Sequence, residues 1–143
     1  MKRTLIPLVL AALPALGGGF YVELGSPSDR TESKAKGAAM LARLTGCHNP
    51  ENGKLAAVAE GMVNGERRSI AIEPIALSTP GLYSIPKVWP NEGRWIVRIV
   101  GRHPSFDRPT SAVVRVSGDS FDRKDAKFVL GADGAQEAAD MLR

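Results

Sequence analysis

Cys47 and His48 stand side by side in the stretch TGCHNPENG, and they are the residues best suited to hold a soft metal. A thiolate next to an imidazole suits copper or zinc. Neighbouring residues on a strand point to opposite faces, so the two can share an ion only on a loop. TGCHNPENG reads as a loop, and Met40, Met62 or His103 would have to complete the ligand set. His48 and His103 are the only histidines of the chain, and no Cys-x-x-Cys or His-x-His pattern accompanies them. A buried cysteine beside a turn histidine is the simpler reading. The expectation is therefore no cofactor, with copper as the alternative.

A second group is the arginine row Arg94, Arg98 and Arg102. Spaced by four along one strand, these side chains project from one sheet face about 13 Å apart. Guanidinium groups in a row suit an acidic partner, an anionic polymer or lipid headgroups. The plainer role is a solvated outer face that discourages edge pairing. Two further motifs lead nowhere. GDSFD, from Gly118 to Asp122, resembles the Gly-Asp-Ser block of some esterases, but no histidine follows His103 to serve as the base for Ser120. Asp119, Asp122 and Asp125 lack the alternating acidic ligands and the glycine of a calcium loop. No catalytic set emerges, and no enzyme is expected.

The N-terminus bears on the compartment. MKRTLIPLVLAALPALGGGFYV opens with Lys2 and Arg3, continues with an apolar run from Leu5 to Leu16, and ends in small residues. That is the layout of a secretory signal peptide over residues 1–22, with the cut between Ala15 and Glu23. The rival is an N-terminal anchor from Leu5 to Val22, which as a helix reaches about 27 Å against a hydrocarbon core of about 30 Å. Pro7, Pro14 and three glycines weaken such a helix. Membrane contact is expected only if this segment stays attached. Lys2 and Arg3 also supply two of the formal charge of +4, leaving too little to argue for nucleic acid as a partner. In an oxidising compartment the single cysteine cannot form an internal bridge, so Cys47 is buried, free or joined to another molecule.

The elements that must position these groups read mainly as strands. Residues 23–36, ELGSPSDRTESKAK, are polar and predict a linker. The domain is then expected to begin at Gly37 and run to residue 130 of the 143-residue chain. GAAMLARLTG and GKLAAVAEGMV alternate as strands, and Asn64-Gly65 predicts a type I′ hairpin into ERRSIAIEPIAL. A second hairpin is expected from Leu82–Trp89 through Pro90–Gly93 into Arg94–Arg102, with Trp95, Val97 and Ile99 inward. TSAVVRVS predicts another strand, with Ala112, Val114 and Val116 inward. Residues 131–143 form a tail with a short helix in AQEAADMLR. Short strands with turns at close intervals and one terminal helix predict an all-β fold, an antiparallel immunoglobulin-like β-sandwich.

PGLYSIPKVWPNEGRWIVRIVG, residues 80–101, resembles the Gly-x-Tyr, aromatic-Pro, Gly-x-Trp signature of YtkA-like and CopC-like immunoglobulin-fold domains. The resemblance implies that Pro80–Tyr83 opens one strand and Glu92–Trp95 the next. It also implies an exported domain, one of a family in which several members are associated with copper handling or with membrane-bound partners. Copper-binding members similar to CopC set histidines with acidic or methionine partners around the metal. This chain departs from that pattern, with only His48 and His103 and neither in such a motif, so no copper-ligand position carries over. The expected function is an exported, non-catalytic binding or accessory domain, periplasmic or secreted, whose partner is an envelope protein or an anionic surface. The alternative is a periplasmic copper-handling accessory protein.

Overall fold

A side-chain period of two gives each long strand one apolar face and one polar face, and in this chain the apolar faces meet in a single interior. Phe20, Val22 and Leu24 line one face of β1 (Phe20–Gly25), and Met40, Ala42 and Leu44 line the matching face of β2 (Met40–Gly46). Opposite them lie Ala57, Ala59 and Val63 of β3 (Lys54–Val63), Trp95, Val97 and Ile99 of β7 (Arg94–Arg102), and Ala112 and Val114 of β8 (Thr110–Ser117). The computed structural model describes residues 19–28, 30–46 and 49–143.

The strands form two sheets, and every pairing is antiparallel. The smaller sheet has the order β1-β2-β6-β5, with β5 at Ile75–Ala76 and β6 at Leu82–Ile85. The larger runs β10-β8-β7-β3-β4, with β4 at Glu66–Ile72 and β10 at Lys127–Leu130. The short β9 (Ser120–Phe121) folds back onto β8. Two antiparallel sheets enclosing one core make this an all-β sandwich, as the alternation predicts.

The β3–β4 hairpin forms around Asn64 and Gly65, whose φ values of 52° and 78° are the two left-handed positions a type I′ turn requires. The second expected hairpin does not form. β6 pairs with β2 and β5 in one sheet, while β7 pairs with β3 and β8 in the other. Pro86 has no N–H to continue the ladder beyond Ile85. Trp89 is then buried, its indole N–H donating to the Gly118 carbonyl at 2.8 Å. The segment between Pro86 and Gly93 thus crosses from sheet to sheet instead of turning back within one.

The start of the domain also differs from expectation. Gly19 to Val22 belong to the stretch read as leader, and Glu23 to Gly25 to the stretch read as linker, yet Phe20–Gly25 pairs along its whole length with β2. Three buried side chains on one face explain why it docks. The rest of the expected linker is attached as well. Ala35 is fully buried, and the Glu32 carboxylate accepts from the Ser78 N–H at 2.7 Å. That bond, with Lys34 nearby, holds the Glu32 carboxyl below its usual range. Residues 1–18, and with them most of the leader or anchor, lie outside the described residues.

One layer is added outside the sandwich. Helix α1 (Ala135–Met141) lies on the outer face of the larger sheet, where Ala138, Met141 and Leu142 cover Ile96 and Val113. Ile96 and Val113 point away from the main core, so without the helix they would meet water.

Candidate functional site

Strand direction gathers several loops at one end of the sandwich. β2 finishes there at Gly46 and β3 starts at Lys54, while β7 finishes at Arg102 and β8 starts at Thr110. β1 begins at this end with Phe20, which pairs with Gly46, and β10 finishes there with Leu130, which pairs with Thr110.

His103 ties two of these loops together. It is 6% exposed, and its Nδ1 accepts from the Ser105 backbone N–H at 3.0 Å. The proton therefore sits on Nε2, which donates to the Asn49 carbonyl at 2.9 Å. Its ring lies 5.6 Å from both Phe20 and Phe106, whose own centroids are 5.0 Å apart. An aromatic cluster with a fully bonded imidazole makes a firm base beneath the loop from Pro104 to Pro109.

Above that base is an open hollow of about 380 Å³, lined by Asn52, Lys54, Arg102, Phe106, Asp107 and Arg108. A neighbouring hollow of about 360 Å³ shares Phe106, Asp107 and Arg108 and reaches Leu130. Lys54 and Arg102 are direct cross-strand partners in the β3–β7 register. Like charges placed opposite each other cost stability, and among the described residues neither is in an ion pair. Arg108 has no ion pair among them either. Chemically this is a place where an anion would be welcome.

The arginine row divides along its length. Arg94, Arg98 and Arg102 do lie on the outer face of β7, but two of them are committed within the fold. Arg94 donates to the carbonyls of Leu142 and Arg143 at 3.2 and 3.3 Å, completing the last turn after α1. Arg98 donates from Nε to Glu60 at 2.9 Å and from Nη1 to the Asp133 carbonyl at 3.2 Å. A charged hydrogen bond at such a partly buried position is worth about 1.5–3 kcal/mol. Arg98→Ala is therefore expected to lower stability by about 1–3 kcal/mol. Urea unfolding checks this, and an unchanged midpoint would show that the clamp is idle. Only Arg102 remains available to a partner, and Lys54 and Arg108, not its strand mates, are its companions.

The remaining candidates do not assemble. Cys47 and His48 lie outside the described residues. His103 uses both ring nitrogens inside the fold, so a copper site would have to be built without it. Among the described residues no three of His, Cys, Asp and Glu come together as a ligand set. Ser120 donates its hydroxyl to the Ser117 carbonyl at 2.9 Å, at the end of β8 opposite to His103. Asp122 accepts from the Lys124 N–H at 2.9 Å, which starts the short 3-10 turn Arg123–Asp125.

Comparison of the chain with protein-family models, with curated proteins and with solved structures gives no match.

Proposed function

We propose that the protein is an exported immunoglobulin-like domain of the cell envelope that works by binding, without catalysis of its own, through the basic loop end of its sandwich. Lettered in chain order up to β8, the two sheets read A-B-E-D and G-F-C-C′. That order is the one immunoglobulin-type sandwiches use, with recognition loops gathered at one end. The positions of β6 and β7 also suit the YtkA-like and CopC-like resemblance, since Gly81 and Gly93 each stand just before a strand. Lys2, Arg3 and the apolar run that follows support export.

One observation carries the binding role: Lys54 and Arg102 face each other across β3 and β7 and line one hollow with Arg108, beside a His103 bonded at both ring nitrogens. A cationic pair that costs stability in the free protein is relieved when an anion bridges it. The copper alternative rests on the resemblance, and His103 withdraws one of its three candidate ligands.

The test is a titration of the purified protein with inorganic pyrophosphate, followed by backbone amide shifts. Shifts are expected to cluster at Lys54 and from Arg102 to Arg108. In Lys54→Gln/Arg102→Gln they should vanish while the melting temperature holds or rises. Shifts scattered over the surface, or unaltered in the double variant, would remove the loop end from the function.

A further inference from the structure

We infer that the loop end docks on an anionic membrane surface, with lipid phosphates at Lys54, Arg102 and Arg108 and the Leu130 side chain among the headgroups. The inference deepens the proposed binding role and rests on it. Three independent features of the molecule meet at this end.

The first is where the chain arrives. β1 starts with Phe20 at the loop end, and the apolar run Leu5–Leu16 precedes it through Gly17, Gly18 and Gly19. Between Leu16 and Phe20 the chain stretches at most about 14 Å. The headgroup layer on each side of a bilayer is about 5–8 Å thick. Where the apolar run is retained as an anchor instead of being cleaved, the loop end lies in or just above the headgroups, and the opposite end of the sandwich points away.

The second is charge. Lys54, Arg102 and Arg108 are exposed and have no ion-pair partner among the described residues. Each basic side chain near an anionic bilayer favours binding by about fivefold. Asp107, which lines the same hollow, opposes them. The third is apolar exposure. Leu130 is 73% exposed, the highest value among the large apolar side chains of the described residues, and it shares a hollow with Arg108. Tyr21, 45% exposed on the outer face of β1 one residue from the chain's entry, suits the interfacial zone where aromatic rings with a polar tip collect. A basic hollow beside an uncovered leucine fits a lipid surface better than an acidic protein, which would leave Leu130 unpartnered.

Amide hydrogen exchange on the full chain tests this, in vesicles of phosphatidylcholine alone and of an equal phosphatidylcholine–phosphatidylglycerol mixture. Slowed exchange is expected from Arg102 to Arg108 and at Leu130–Gly131 in the mixture only. Arg108→Gln should lower that protection about fivefold, and Asp107→Asn should raise it by a similar factor. Leu130→Ser should weaken it without changing the lipid preference. Equal protection in both vesicles, or none in either, overturns the inference. So does an Asp107→Asn variant that loses protection. Pyrophosphate shifts at the loop end without lipid-dependent protection would leave the binding role standing and the membrane wrong. Loss of both would end both.

Discussion

Trp95→Ala is expected to lower the unfolding free energy by about 3–5 kcal/mol, a large share of the net stability of a small domain. Trp95 is 4% exposed and sits on β7, the strand flanked by β3 and β8 in the middle of the larger sheet. Its ring covers Gly61, its register partner on β3, where an added Cβ would run into the indole carbons. The indole N–H donates to the Glu92 carbonyl at 2.9 Å, so its one polar atom is satisfied without water. Removing the ring therefore empties a space that β3 and β8 cannot close without breaking their ladders with β7. Urea unfolding measures the loss, and a midpoint near the parent's would remove Trp95 from the core. Gly61→Ala supplies the complement. It should destabilise the parent, where the methyl meets the ring, and be better tolerated beside Trp95→Ala, where it meets a void.

The same neighbourhood shows what the chain reveals locally and what it does not. Trp95, Val97 and Ile99 read as an inward face because alternation is a property of consecutive residues, and the structure buries all three. Asn64-Gly65 reads as a hairpin because the turn chemistry lies in the dipeptide itself. Pro90 to Gly93 looks like the same kind of signal, yet a reversal of direction does not specify which sheet receives the next strand. That choice is made by β2 and β3, the partners that β6 and β7 find far away in the sequence. The arginines follow this rule. Their shared face is visible in the spacing, but the clamp on Arg98 comes from Glu60 and Asp133, and neither is a sequence neighbour. Lys54 was invisible as a site residue for a similar reason. A lone lysine at the start of a strand gains meaning only when register sets it opposite Arg102. Leu130 ends a short strand in a stretch whose charged residues hide the alternation, and all but one of that strand's four residues are exposed.

β1 is the element that composition hid most completely, and it yields the second large effect. Phe20, Tyr21 and Val22 continue the apolar character of the N-terminal run, while Glu23 and Gly25 open a polar stretch, so a six-residue alternating strand was divided between two segments of different composition. Its inner face is nevertheless continuous. Phe20 closes the aromatic cluster with His103 and Phe106, and Val22 and Leu24 lie in the core. Burial of a side chain such as Phe or Val is worth about 1.5–3 kcal/mol. A chain beginning at Glu23 therefore forfeits about 3–6 kcal/mol from Phe20 and Val22, before counting half the ladder with β2. Loss on that scale equals much of the net stability of a small domain. A chain beginning at Gly19 is expected to unfold cooperatively in urea, and one beginning at Glu23 to lack a folded baseline. The shorter chain should also lose the base under the loop end, because His103 and Phe106 would no longer have Phe20 to pack against. If both chains unfold at the same urea concentration, β1 is dispensable and the sandwich closes without it. If they differ as expected, any processing that leaves a working domain must cut before Phe20, in the glycine run or upstream of it.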